Sequence, residues 1–159
     1  MDRNMVDIES RSFDVAEAEF MNIRQSTVRS VEGGHIELQQ VGALSIDGER
    51  IEVTQGAAVL MRGDNLSLNQ SIGLLAAGNN VSLNFSFSPI TVSADETIVN
   101  KSAAGVMAAR NIDANNSTSL LMIGSNVTGN VTTLLDWRSA LAIGAVAGGI
   151  FGLFSFFKR

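Results

Sequence analysis

LSLNQS, residues Leu66–Ser71, is the stretch that decides the fold, because the chain keeps rewriting it. IEVTQG fills Ile51–Gly56, IELQQV fills Ile36–Val41, VSLNFS fills Val81–Ser86 and TIVNKS fills Thr97–Ser102. The first apolar position of each copy falls at Met21, Ile36, Ile51, Leu66, Val81, Thr97, Ile112 and Val127, with spacings of 15, 15, 15, 15, 16, 15 and 15. Two residues further on stand Ile23, Leu38, Val53, Leu68, Leu83, Val99, Ala114 and Gly129. A separation of two puts both side chains on one side of a strand, so each copy opens with a short strand facing inward.

The positions that follow are as regular. Asn69, Asn84, Asn100, Asn115 and Asn130 form one column, Gln25, Gln40, Gln55 and Gln70 the next, and Ser26, Ser71, Ser86, Ser102 and Ser117 mostly fill the one after. A second inward pair is expected at Leu44 and Ile46, Val59 and Met61, Leu74 and Ala76, Ile90 and Val92, and Leu120 and Met122. Small residues close the copies at Gly33, Gly48, Gly63, Gly78, Ala94, Ala109 and Gly124. They mark corners where a positive φ or the close approach of neighbouring coils excludes bulk.

Fixed-interval repeats of this length describe a solenoid. Fifteen residues with period-two apolar pairs and glycine corners cannot hold two helices. If each copy is one coil, equivalent residues stack about 4.8 Å apart, and eight coils make a rod about 35–40 Å long. Stacked amides then bond to their own kind along the axis, which gives the Asn column a structural ladder role. The expected class is all-β: a single-stranded β-solenoid of about eight 15-residue coils over residues 21–135, preceded by a polar N-terminal cap segment at 1–20. The one 16-residue coil holds the only proline, so the surplus residue is expected at Pro89 or beside it, as a bulge.

Residues 136–159 differ from the rest. Ala140 to Phe157 supplies 18 uncharged residues, which as a helix span about 27 Å, enough to cross a bilayer core. Asp136 suits the helix cap, and Trp137, Lys158 and Arg159 suit the two membrane interfaces. Ala140, Gly144, Gly148 and Gly152 recur every four residues and form a smooth stripe for helix–helix contact. The N-terminus is polar and acidic, without the basic start and apolar run of an export signal, so the solenoid is expected on the cytoplasmic side.

The remaining chemistry is sparse. The formal charge of −5 argues against nucleic acid as a partner, and the absence of Cys with a single His removes thiolate and most zinc sites. Nine N-x-[ST] sequons arise from the stacked columns themselves, at Asn69 and Asn84 for example, and are not read as glycosylation sites. Glu37 and Glu52 stack on a solvated strand face, and their column continues as Ser67 and Ser82 with no His or third acid beside it. His35 falls in an exposed turn next to Gly33 and Gly34, which lack the Lys and the strand-to-helix setting of a phosphate loop. The hexapeptide repeat and catalytic His of left-handed β-helix acyltransferases are not matched. No catalytic, cofactor-binding or metal residue is assigned, and no small-molecule substrate is expected.

In architecture the chain resembles the bactofilins, on Gly-punctuated strands such as LSIDGERIEVTQG at Leu44–Gly56, over about residues 21–135. That resemblance implies a membrane-associated solenoid that polymerises into filaments. The Asn/Thr-Gln-Ser columns and the appended apolar tail depart from the family's pattern. Together these readings point to a non-enzymatic scaffold on the membrane, whose partners are the lipid bilayer and other copies of itself or other transmembrane subunits. The alternatives are an accessory subunit of a membrane complex and an exported, adhesin-like stalk. Because the last coil runs straight into Asp136, lateral or in-membrane assembly is favoured over end-to-end stacking.

Overall fold

The computed structural model describes residues 5–9 and 12–133, and these form a parallel β-solenoid of about eight turns. Its strands are β1 (Met5–Glu9), β2 (Ser12–Glu17), β3 (Phe20–Arg24), β4 (Thr27–Gln39), β5 (Gly42–Thr54), β6 (Ala57–Asn69), β7 (Ile72–Asn84), β8 (Phe87–Asn100) and β9 (Ala103–Thr133). From β4 to β7 each 13-residue strand takes up all but two residues of a 15-residue circuit and lies parallel on the next with a shift of 15 residues. Strand pairing starts earlier than the repeat alone marks. Met5 pairs with Phe20 and Ser12 with Thr27, so β1 and β2 add a circuit from within residues 1–20. Residues 136–159, where the helix is expected, lie outside the described part. Among the described residues no helix is long and apolar enough to cross a membrane.

The first inward pair stands where alternation puts it. Ile36 and Leu38, Ile51 and Val53, Leu66 and Leu68, and Val81 and Leu83 are all buried, stacked column on column. The second pair needs correction. Ile46, Met61 and Ala76 are buried, but Leu44, Val59, Leu74, Ile90, Val92 and Leu120 are exposed. The inward partners lie three residues ahead instead, at Ala43, Ala58 and Gly73. A bend separates the two members, so two consecutive side chains, such as Val59 and Leu60, point outward before the next turns in. Strict alternation loses its phase at that bend.

Of the two reasons expected for the small corner column, close approach of neighbouring coils holds and positive φ belongs to another column, while the bulge changes place. Gln25, Gln40, Gln55 and Gln70 carry the left-handed φ, between 46° and 56°, and Phe85, Lys101 and Asn116 continue that column. The glycines are there for space. A Cβ at Gly33, Gly48, Gly63 or Gly78 would overlap the carbonyl oxygen of the small residue one coil below. The surplus residue is not at Pro89. Gly78 pairs with Ser93 but Asn80 pairs with Glu96, which places the bulge at Ala94–Asp95. Pro89 sits in a column over which the paired register passes, between Ser88–Ala104 and Ile90–Val106, so its missing N–H removes no rung.

Candidate functional site

Where the columns stack, polar side chains form rails along the rod. The amide rail is continuous on glutamine: Gln25 Nε2 donates to Gln40 Oε1 at 3.3 Å, Gln40 to Gln55 at 3.3 Å and Gln55 to Gln70 at 3.1 Å. Lys101 Nζ then lies 5.3 Å from the Phe85 ring centre, so a cation–π contact extends the same edge. In the asparagine column, Asn100 Nδ2 donates to Asn84 Oδ1 at 3.0 Å, while Asn84 Nδ2 reaches its own strand's Ser82 Oγ and Asn115 Nδ2 reaches Asp113. Asn69 is half-buried in this column, and Asn130 is exposed in the last circuit.

The serine column has a deeper role than its letters suggest. Ser86 Oγ lies 2.8 Å from Asn84 O and 3.0 Å from Leu68 O, and accepts from Ser71 N at 3.2 Å. Ser71, Ser102 and Ser117 repeat this arrangement. Each hydroxyl thereby serves backbone groups from two coils at the corner that follows the left-handed residue. Buried backbone groups left unpaired there would cost about 1–3 kcal/mol each.

An open groove of about 980 Å³ runs along the glycine column. Gly33, Gly48, Gly63 and Gly78 form its floor. Glu17, Glu32 and Asp47 line one wall, and Glu19, Glu49 and Asp64 the other, with Arg62 the single cation among the lining residues. The charge rows were readable as 15-residue spacings on either side of the glycines, yet only the glycines drew attention. Such a trough attracts cationic groups through its summed field. Its carboxylates are spread along the rod. Among the described residues no group of three or more His, Cys, Asp or Glu side chains is arranged to hold a metal ion.

His35 is half-buried rather than free in solvent. Its ring centre lies 6.0 Å from that of Phe20, and Nε2 is 3.6 Å from Glu37 Oε1. The stacked Glu37 and Glu52 column therefore does have a histidine at one end, contrary to the sequence expectation. The pair is solvent-facing, with Glu37 exposed. Ala140, Gly144, Gly148 and Gly152, and the interface residues Trp137, Lys158 and Arg159, lie outside the described residues. No family model, no curated protein and no solved structure matches the chain.

Proposed function

We propose that the chain is a non-enzymatic, membrane-anchored β-solenoid scaffold that assembles with copies of itself. The observation that carries this reading is the direct succession of a stacked rod by the uncharged segment Ala140–Phe157. The rod spends its polar side chains on its own rails and corners, which suits a spacer or support. The apolar tail has the length of a bilayer crossing and carries a small-residue stripe for helix contact. The architectural likeness to bactofilins agrees with a polymer-forming role at the membrane. In the test, the full chain and a version ending at Thr133 are compared after alkaline extraction of membranes. The full chain should stay in the membrane pellet and the shortened one should be released. A full chain recovered in the alkaline supernatant would defeat the anchor.

The second reading is an accessory subunit of a larger membrane complex, favoured by the acidic groove along the glycine column, which suits a basic segment of another protein. Native mass spectrometry after gentle detergent extraction separates the two. Multiples of one mass support the scaffold, and a second polypeptide at fixed ratio supports the subunit.

A further inference from the structure

The exposed apolar residues are not scattered. Val59, Leu60, Ile72, Leu74, Phe87 and Ile90 stand 42–51% exposed on neighbouring coils, in three adjoining outward columns. From Gly42 to Leu121 these three columns comprise 18 residues, none of them charged. At the N-terminal end the strip stops at the Arg29–Asp14 ion pair, 3.3 Å long, in the first of the same columns to carry charge. The groove walls, by contrast, hold six carboxylates. The rod is thus amphipathic around its circumference, with a side that avoids charge and a side that concentrates it.

We infer that this uncharged side is the surface through which two copies of the chain pair, side by side along their length. Two observations choose a second copy as the occupant. The first is size. Eight large apolar side chains stand about half exposed in one continuous strip with their smaller neighbours, on the scale of one partner's share of a standard interface, about 800 Å², and not of scattered surface residues. The second is pitch. Every ridge on this side repeats at the strand spacing of about 4.8 Å, held by an unbroken 15-residue register through the strip up to Gly78. A second copy has the same spacing, so its ridges can seat between these along the whole strip. Faces of paired sheets pack about 10 Å apart, which is the separation expected between the two rods. The carboxylates of both copies meanwhile stay on other faces, so an acidic chain can pair without opposing like charges. The inference deepens the scaffold reading by naming its self-association surface, and rests on the assembly part of that reading but not on the anchor.

The chain has no cysteine, so one introduced thiol is unique. In membranes holding the full chain, Leu74→Cys should give dimers with a short bis-maleimide, while Glu52→Cys on the polar strand face should not. The double variant Leu60→Glu/Leu74→Glu alters only exposed side chains, so it should keep its strand spectrum. Its dimer dissociation constant should rise at least about a hundredfold, because each charge would be buried unpaired at the contact. Equal cross-linking at positions 52 and 74, or an undiminished dimer in the double variant, would overturn the inference. Capture of lipid instead of protein by a photoreactive probe at position 74 would also overturn it and assign the strip to the bilayer. If Gly144→Ile/Gly148→Ile abolishes association while the double Glu variant does not, the scaffold reading stands and this surface falls.

Discussion

The circuits of β6 and β8 occupy equivalent places in the rod and fill them with opposite chemistry. Where β6 turns Met61, Leu66 and Leu68 inward, β8 turns Thr91, Thr97 and Val99 inward. Ala58 and Gly73 are followed in their column by Ser88, which is fully buried. Outward, β8 is the more apolar of the two, with Phe87, Ile90 and Val92 exposed. Fully burying a leucine or methionine contributes about 1.5–3 kcal/mol, whereas a satisfied hydrogen bond contributes about 0.5–1.5 kcal/mol net. β8 therefore adds less to a stability that in solenoids is close to a sum over neighbouring coils.

The hydroxyls of β8 are not orphans. Ser93 and Thr97 oxygens lie 2.7 Å apart across the bulge, and Thr91 donates to Ser88 at 3.0 Å. Ser93 stands where the preceding coils have glycine, and its side chain is buried. The extra residue at Ala94–Asp95 and the Ser93–Thr97 pair belong together. The added length accompanies a serine in a column that β4 to β7 fill with glycine, and the hydrogen bond closes the bend. The comparison teaches that one corner is built without a Cβ in β4 to β7 and with a longer turn in β8.

The contrast breaks hardest in the apolar core. Leu68→Asp sets a charge between Val53 and Leu83, and chemical denaturation should show a loss of more than about 3 kcal/mol or no folded protein. Ser67→Asp, one residue earlier, should change stability by no more than about 0.5 kcal/mol. Moving β8's corner residue into β6 tests the two-solution idea directly. Gly63→Ser without an added residue drives a Cβ against the Gly48 carbonyl and should cost about 2–3 kcal/mol, whereas Gly42→Ala, with nothing within 4 Å, should be near neutral by the same measurement.

Within β8, Thr97→Val strands the buried Ser93 hydroxyl and should lower the unfolding free energy by about 1–2 kcal/mol. The double variant Ser93→Ala/Thr97→Val removes both partners and should recover most of that loss. If it does not, the pair is not the closure of the bend. The smallest effect belongs to the outer rail. Gln55→Gly gives up two exposed hydrogen bonds but removes the strain of a left-handed φ of 53°, so the midpoint should move by less than about 0.5 kcal/mol. Gln55→Val keeps the φ and adds a branched side chain, and should cost about 1–2 kcal/mol.

The period was legible because stacking writes identical letters at one interval, and the strand that opens each coil was legible because Leu66 and Leu68 alternate cleanly. The bend after Val59 was not legible, since an outward Val59 and an inward one look alike in sequence. Leu44, Val59, Leu74, Ile90 and Leu120 of the apolar strip therefore read as core in the sequence. Pro89 drew the bulge to itself by its chemistry, although the displaced residues are Ala94 and Asp95, which carry no such marker. Glutamine is an unexpected carrier of positive φ, so the left-handed corner was sought at glycine. Of the candidate surfaces, the acidic groove was spelled out in Glu17, Glu32 and Asp47 at fixed spacing, but its depth comes from the Cβ-free floor between two charged rows.

The parallel register, unbroken from β4 to the start of β8, makes this part of the molecule a ruler. Excising Ala57–Ser71 would join Gly56 to Ile72 and keep every column in phase, so the rod would shorten by one graduation of about 4.8 Å and lose no type of contact. Duplicating the same stretch would lengthen it by as much. An excision of fourteen residues would leave one surplus residue, to be absorbed in a local bulge like that at Ala94–Asp95. Length in this protein can therefore be inherited in whole graduations, and recombination between neighbouring copies in the gene is a direct way to set how far the two ends of the rod stand apart.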